Sequence, residues 1–475
     1  MGRGRARNWL VGGSRRGGGA PALIYGVSWD KSSNPVLTRT DDAVGMVANA
    51  GVDMTPVTND FDTAQIYSEI TEVTDGYGNV FVRIPAFYIR KTSGATVTWQ
   101  ISKQSHGADW YLPACFWDFT NSVALPYVDI GKYTAGFDGT RMTSKSGEYP
   151  MVSQNIVTMR TRAQANGSAY QQLDIHVMDV LTVLFYVEFA TLHSQSVMAG
   201  FTAGAYNASH TAQATEAGAN RVVVTNAVAA LFEVGQSIGL GTSLGGNQIF
   251  AYRTITSKAV VDASNAALNF DGAAVNVTTG NIVYSVGWRS GFSSGIAASS
   301  GSVGSNSSGR FPMAYRGVEN VWGSVWQFVD GLNVFESGSV HKGWVCRDAA
   351  SYASNLFAAP YEELSYANSP TNGYTVEMGL DPDRPFANLP TNITGGGTTT
   401  YYSDYYWRST GARIALAGGN WVNGSNAGLS GWYLNNSSGN ANANIGARLL
   451  VGCNTTNCAP YSSPLGGNSA EKSRG

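Results

Sequence analysis

One stretch of this chain carries sustained helical periodicity, and it limits what the remainder can build. Leu173, His176, Val177, Val180, Leu181, Leu184, Phe185, Glu188 and Phe189 fall three and four residues apart. That spacing predicts a helix over about 172–192 with one buried stripe. A stripe so apolar must be buried against the rest of the fold. The most apolar part, 177–190, is too short to span a bilayer and carries Asp179 and Glu188. His176 lies on the stripe and reads as a core or edge histidine rather than a ligand.

The other signals are short and β-like. Residues 79–89 alternate as a strand with Pro85 at an edge or bulge, and 96–101 alternate again. Residues 22–78 hold turn signals at Ser33-Asn34-Pro35, Thr55-Pro56 and Asn59-Asp60, as a small module would. Between 205 and 286, the runs Val222–Thr225, Phe250–Ile255 and Ile282–Val286 alternate with Gly, Asn and Ala stretches, which predicts an inserted β-domain. The Gly/Ser run at 293–309 reads as a linker or mobile loop. The expected organisation is a flexible leader (1–21), an N-terminal module (22–78), a main domain in two parts (79–204 and 287–452) around the insert (205–286), and a tail (453–475).

Charged residues make up only 13% of the 475, well below the roughly 25% usual for soluble domains, while Gly (57), Tyr (24) and Trp (12) are plentiful. A loop-rich fold with aromatic cores follows. Net charge is −2, so no global field draws nucleic acid or an acidic membrane. Arg3, Arg5, Arg7, Arg15 and Arg16 could form a basic arm, but a disordered leader is the simpler reading. The cysteines, Cys115, Cys346, Cys453 and Cys458, have no zinc-ligand spacing and the five histidines are scattered, so no metal or cofactor is expected. Cys453 and Cys458 could pair or stay free.

Two segments carry most of the functional reading. In 315–331, Trp322 and Trp326 stand four apart around Gly323, as core indoles whose N–H groups need acceptors such as Glu319 or Asn320. The second segment runs from Arg413 to Trp421 and closes at 444–450. Between its ends, residues 422–443 hold no group that is charged at neutral pH and are rich in amides and hydroxyls around Trp432 and Tyr433. Antibody loops use that chemistry, because Tyr gives contact area at low entropy cost while Ser and Asn give adaptable hydrogen bonds. Such loops also serve as plain turns. Just upstream, Tyr405, Tyr406 and Trp407 could rim a contact surface, although strand alternation would bury about half of these aromatics.

At these segments the chain resembles the formylglycine-generating-enzyme-like branch of the C-type lectin fold. It looks closest to the variable proteins of diversity-generating retroelements, many of them phage-encoded. Residues 317–331 resemble the family's Gly-x-Glu-Asn-x-Trp-Gly-Asn-x-Trp-Glu-Phe motif, with Ser324 and Gln327 departing from Asn and Glu. Residues 418–421 resemble its Gly-Gly-x-Trp, 446–450 its closing strand, and 79–89 its opening strand. The resemblance implies an α+β, C-type-lectin-like domain with one long helix on a twisted antiparallel sheet. It also implies an exposed, diversified face. There Asn423, Asn426, Asn435, Asn436, Asn440 and Asn442 look like unmutated template positions. Val422, Ser425, Ser430, Gly431 and Tyr433 look like substituted ones, with Trp432 and Tyr433 as anchors.

The expected function is therefore non-catalytic recognition, as in a phage tail-associated receptor-binding protein. Its partners would be a host-cell surface protein or glycan and other virion or tail proteins, with homo-oligomers possible and neither nucleic acid nor membrane insertion involved. Such a protein is made in the host cytoplasm and ends in the virion or on a bacterial surface. A structural virion or adhesin role is the alternative. An oxidase of the formylglycine-generating type would need two cysteines between Trp421 and Arg448, and none lies there. Calcium-lectin tripeptides and hydrolase motifs are also absent from the sequence.

Overall fold

The computed structural model describes residues 22–452. Strands hold 38% of the structure and helical turns 12%, with three α-helices among the described residues: α1 (Ile156–Gln164), α2 (Ile175–Phe189) and α3 (Asn226–Ala229). The protein is β-rich, which corrects the α+β, C-type-lectin-like class expected above. The single strong helical period overweighted helix, while many strands have only two to four residues, too few for alternation to register. The leader, Cys453, Cys458 and the tail lie outside the described residues.

Helix α2 falls inside the expected 172–192 because local chemistry trims both ends. Gln172 pairs in a strand with Leu449, and the Asp174 side chain caps the helix by accepting from the Val177 N–H at 2.9 Å. Ala190, with φ 51°, ends it in the left-handed conformation. Thirteen of its fifteen residues are buried, so the expected stripe is burial nearly all round. His176 bonds the Cys346 carbonyl at 3.1 Å, and burial pulls its pKa down to about 3, keeping the ring neutral.

The two acids of α2 meet cations brought by other segments. Arg316 grips Glu188 with two bonds of 2.9 and 2.7 Å and reaches Asp62 at 2.7 Å, while Asn59 donates to Glu188 at 2.7 Å. Lys91 pairs with Asp179, whose other oxygen accepts from Tyr111 at 2.6 Å. Because Glu188, Asp179 and Lys91 are almost fully buried, these pairs fix the register of their segments more than they add stability.

The largest sheet among the described residues has eight strands and separates two cores. Its order is Glu362–Glu363, Val340–Val345, Trp326–Ser337, Gly411–Gly418, Gly428–Asn436, Tyr405–Arg408 and Gly373–Tyr374, with Ile445–Gly446 pairing onto Trp326–Ser337. Alternate residues face opposite sides. Ala415, Ala417, Trp432 and Leu434 join α2 in the main core, while Ile414, Leu416, Trp326 and Phe328 join α1 in the second. A five-stranded sheet (Thr38–Asp41, Ile24–Trp29, Val97–Ser102, Tyr88–Ser93, Trp110–Tyr111) covers α2 from the other side. Another five-stranded sheet joins Tyr170–Gln172, Leu449–Gly452, Tyr127–Gly131, Val80–Pro85 and Thr71–Thr74. Residues 22–78 thus pair directly with strands beyond residue 78.

Within 205–286 a five-stranded sheet (Arg221–Thr225, Asn265–Phe270, Gly246–Val260, Ser237–Ser243, Ile282–Ser285) encloses a core of its own around Phe232, Leu240, Ile255 and Leu268. The 293–309 run, read as a linker, is partly built into the fold. Gly301–Ser302 pairs in parallel with Gly51–Val52, and a Cβ on Gly301 would fall 2.2 Å from the Gly51 carbonyl oxygen, so only glycine fits.

The Trp motif divides between the cores, Trp322 entering the main one and Trp326 the second. The Trp322 indole donates to the Met198 carbonyl at 2.9 Å, not to Glu319 or Asn320. Glu319 instead accepts the Gly291 and Ser293 N–H groups at 3.0 and 2.7 Å. Between the motif and the closing strand lies Arg448, 1% exposed. It donates to the carbonyls of Gly131 (2.8 Å), Lys132 (3.2 Å), Glu319 (2.6 Å) and Asn320 (3.1 Å) and to the Gln327 side chain (2.9 Å). Replacing Arg448 with Met leaves these buried acceptors without their donor, each costing about 1–3 kcal/mol. Arg448→Met should lower the unfolding free energy by about 3–5 kcal/mol in urea denaturation. A loss under about 1 kcal/mol, the scale of an ordinary surface change, would mean that the guanidinium is not what ties these segments.

Candidate functional site

The strand Tyr405–Arg408 lies parallel to Gly428–Asn436, with Tyr406 opposite Trp432 and Trp407 opposite Tyr433. This register sorts the expected face by parity. Tyr405, Trp407, Tyr433 and Asn435 are half-buried, whereas Tyr406, Ser430, Gly431, Trp432 and Asn436 are buried. These last five are corrected from exposed contacts to interior residues. Tyr406 and Trp432 belong to the main core, and Ser430 bonds the Tyr186 hydroxyl there. Ser430 and Trp432 also line a cavity of about 60 Å³ under α2, beside Trp29, Trp99 and Lys91. Ligand pockets run to roughly 300–1,000 Å³, so this space is too small to be one.

The half-buried members form a row of rings. Tyr374 and Tyr405 meet edge to face with centroids 5.0 Å apart, Trp407 and Tyr433 do so at 5.4 Å, and Tyr405 and Trp407 between them are tilted at 4.5 Å. Trp326 closes the inner end, 5.0 Å from Tyr433 and 5.5 Å from Trp407, anchoring the row in the second core. Packed this way the rings have little side-chain freedom left to lose. Tyr374 escapes sequence reading because its strand, Gly373–Tyr374, has two residues and no period.

Amide and hydroxyl groups border the row. The Tyr374 hydroxyl donates to the Asn426 side chain and lies 3.4 Å from the Ser425 hydroxyl, which joins the Gly424–Asn426 turn to the rings. On the same strand as Tyr433, the Asn435 side-chain amide oxygen is buried without a hydrogen-bond partner. Val422, 46% exposed, sits on the adjoining loop. Asn423 has a turn role, its side chain accepting from the Asn420 N–H at 2.7 Å. Asn440 shapes the 437–444 loop by accepting from the Ser437 N–H (3.0 Å) and hydroxyl (2.8 Å), and Asn442 is exposed there. Among the described residues no hydrogen bond joins Asn440 or Asn442 to the row. The structure therefore gathers Ser425, Asn426, Tyr405, Trp407, Tyr433 and Asn435 with Tyr374, and leaves the 437–444 loop apart.

Beneath this surface Asp404 is completely buried. One carboxyl oxygen accepts the Ser430 N–H at 2.8 Å and the other has no partner. Gly428, with φ 149°, admits this approach: a Cβ there would fall 2.1 Å from the unpartnered oxygen. Burial without a countercharge pushes the Asp404 carboxyl far above the usual range, and the Ser430 bond opposes this only in part. The two described cysteines, Cys115 and Cys346, are buried and free, and burial pushes the Cys346 thiol up to about 11, away from thiolate reactivity.

No protein-family model matches the chain, and no curated protein does.

The Asp404 environment has a testable pH signature. With the folded pKa raised, the stability this group contributes is full below its unfolded value of about 3.9 and is lost as pH rises through the folded pKa. Asn at 404 keeps an oxygen for the Ser430 N–H but does not titrate. Asp404→Asn should gain stability over the parent steadily from pH 4 upward in chemical denaturation, and parallel pH profiles would show that the carboxyl is not held neutral.

Proposed function

We propose that this chain is a non-catalytic recognition protein that presents the Tyr374–Tyr405–Trp407–Tyr433 row, with Ser425, Asn426 and Asn435, to a ligand on a host-cell surface. The row carries the reading: four half-buried rings side by side on one sheet face, bordered by uncharged amides and hydroxyls. Interface hot spots favour that composition, because rigid aromatics give area and short polar side chains give direction. We further propose that the face belongs to a retroelement-diversified binder attached to a phage tail or bacterial surface. A particle carrying several copies would add avidity to weak single contacts.

The test is binding of the labelled protein to intact candidate host cells. The double change Trp407→Ala with Tyr433→Ala should reduce binding at least about tenfold, in line with about 2 kcal/mol or more for aromatic hot spots. Circular dichroism must show that the variant keeps the parent fold. Trp432→Ala, one residue away, should instead destabilise the protein by about 3–5 kcal/mol, as expected for a core indole. Undiminished binding by the folded double variant would sink the assignment of this face.

A further inference from the structure

A second concavity lies at the root of the 205–286 unit, away from the aromatic row. It is a cleft of about 420 Å³, inside the roughly 300–1,000 Å³ range of small-molecule sites. Trp288, Phe292, Phe311 and Val303 make one wall, and Val234 and Thr254 come from the inserted unit. Trp288 is held from behind by Phe201, whose ring centre is 5.2 Å away at 78°, and Phe311 lies 6.5 Å from Trp288. Val234 is 51% exposed, an apolar side chain left in solvent at this rim.

The cleft has one charged lining residue, Arg289. Its Nε donates to the Gly147 carbonyl at 2.6 Å, and the guanidinium lies 5.5 Å from the centre of the Tyr149 ring. These contacts hold the group in place. Its other protein bond is long: Nη1 to Asp271 at 3.4 Å, between side chains 41% and 33% exposed. The Asp271 carboxylate also receives the Thr254 N–H at 2.8 Å and is not among the lining residues. Among the described residues, no hydrogen bond engages Arg289 Nη2. A positioned guanidinium with an open edge, beside ring-lined apolar walls and no lining carboxylate, matches an anion carried on an apolar or ring-shaped body.

We propose that this cleft binds a carboxylate borne on a six-membered ring, with Arg289 taking the carboxylate and Phe292 and Phe311, backed by the buried Trp288, taking the ring. Such a ligand bridges the inserted unit and the main body. The ring can be that of an aromatic acid or of a uronic acid, since both present the same charge and a flat or semi-flat face.

Isothermal titration of the full chain tests this with four probes: benzoate, glucuronate, and their neutral counterparts benzyl alcohol and glucose. At least one acid should bind, about tenfold or more tighter than its neutral counterpart. Whichever acid does so identifies the ring. Arg289→Gln should abolish that preference, and Arg289→Lys should restore part of it. Because Arg289 also holds the Gly147 carbonyl, Phe292→Ala is the companion variant. It keeps the guanidinium and should weaken the preferred acid about tenfold at an unchanged melting temperature. The proposal is overturned if neither acid binds, if acid and neutral probe bind alike, if folded Arg289→Gln binds like the parent, or if Phe292→Ala leaves the affinity untouched.

Discussion

Arg448 is the joint on which the two halves of this fold meet. The strand Leu449–Gly452 belongs to the sheet with Tyr127–Gly131, while Ile445–Gly446 pairs with Trp326 and Gln327 in the eight-stranded sheet. Between them the guanidinium spreads its donors over carbonyls from both neighbourhoods. Only a planar fork serves acceptors in so many directions at once. Burial lowers its pKa to about 10, still above neutrality, so a charge sits inside the protein. The Gln327 side chain gives it a neutral acceptor, and the buried Glu319 carboxylate is the opposing charge nearby. The Arg316–Glu188 and Lys91–Asp179 pairs repeat the principle around α2, where charge fixes position inside a core that apolar contact alone would leave free to slide.

With that frame fixed, the sheet does the sorting. Each strand between the two cores delivers alternate side chains to α2 and to α1. The aromatic row arises where the second core thins toward solvent, so its rings are packed on one side and open on the other. A surface of this kind is rigid because it continues a core. The same continuity explains why Trp326, a core residue of the motif segment, touches the row directly.

Much of this was legible in the sequence, though unevenly. The helix stood out because fifteen residues give several turns of period, and the 222–225 and 282–286 runs were visible as strands by their β-branched residues. The class was misjudged because two-residue strands such as Glu362–Glu363 and Gly373–Tyr374 exist only through their partners. At the candidate site, composition singled out the segments but could not say which side chains face out. That depends on the parallel register of Tyr406 with Trp432 and on the irregularity between Ile414 and Leu416, both long-range facts. Serine and glycine at 293–309 looked like a spacer because close backbone packing and free chain select the same small residues.

The parity of the strand Gly428–Asn436 also sets how this protein can evolve. Along 432–436, the even positions Trp432, Leu434 and Asn436 are buried, while Tyr433 and Asn435 between them are half-buried. Adjacent residues thus meet different physical constraints, one set by core packing and the next by solvent. A randomised library across this stretch would separate into folded and collapsed clones mainly by its hits at the even codons. Its useful diversity would be carried by the odd codons 433 and 435 and by the neighbouring turn at 424–426.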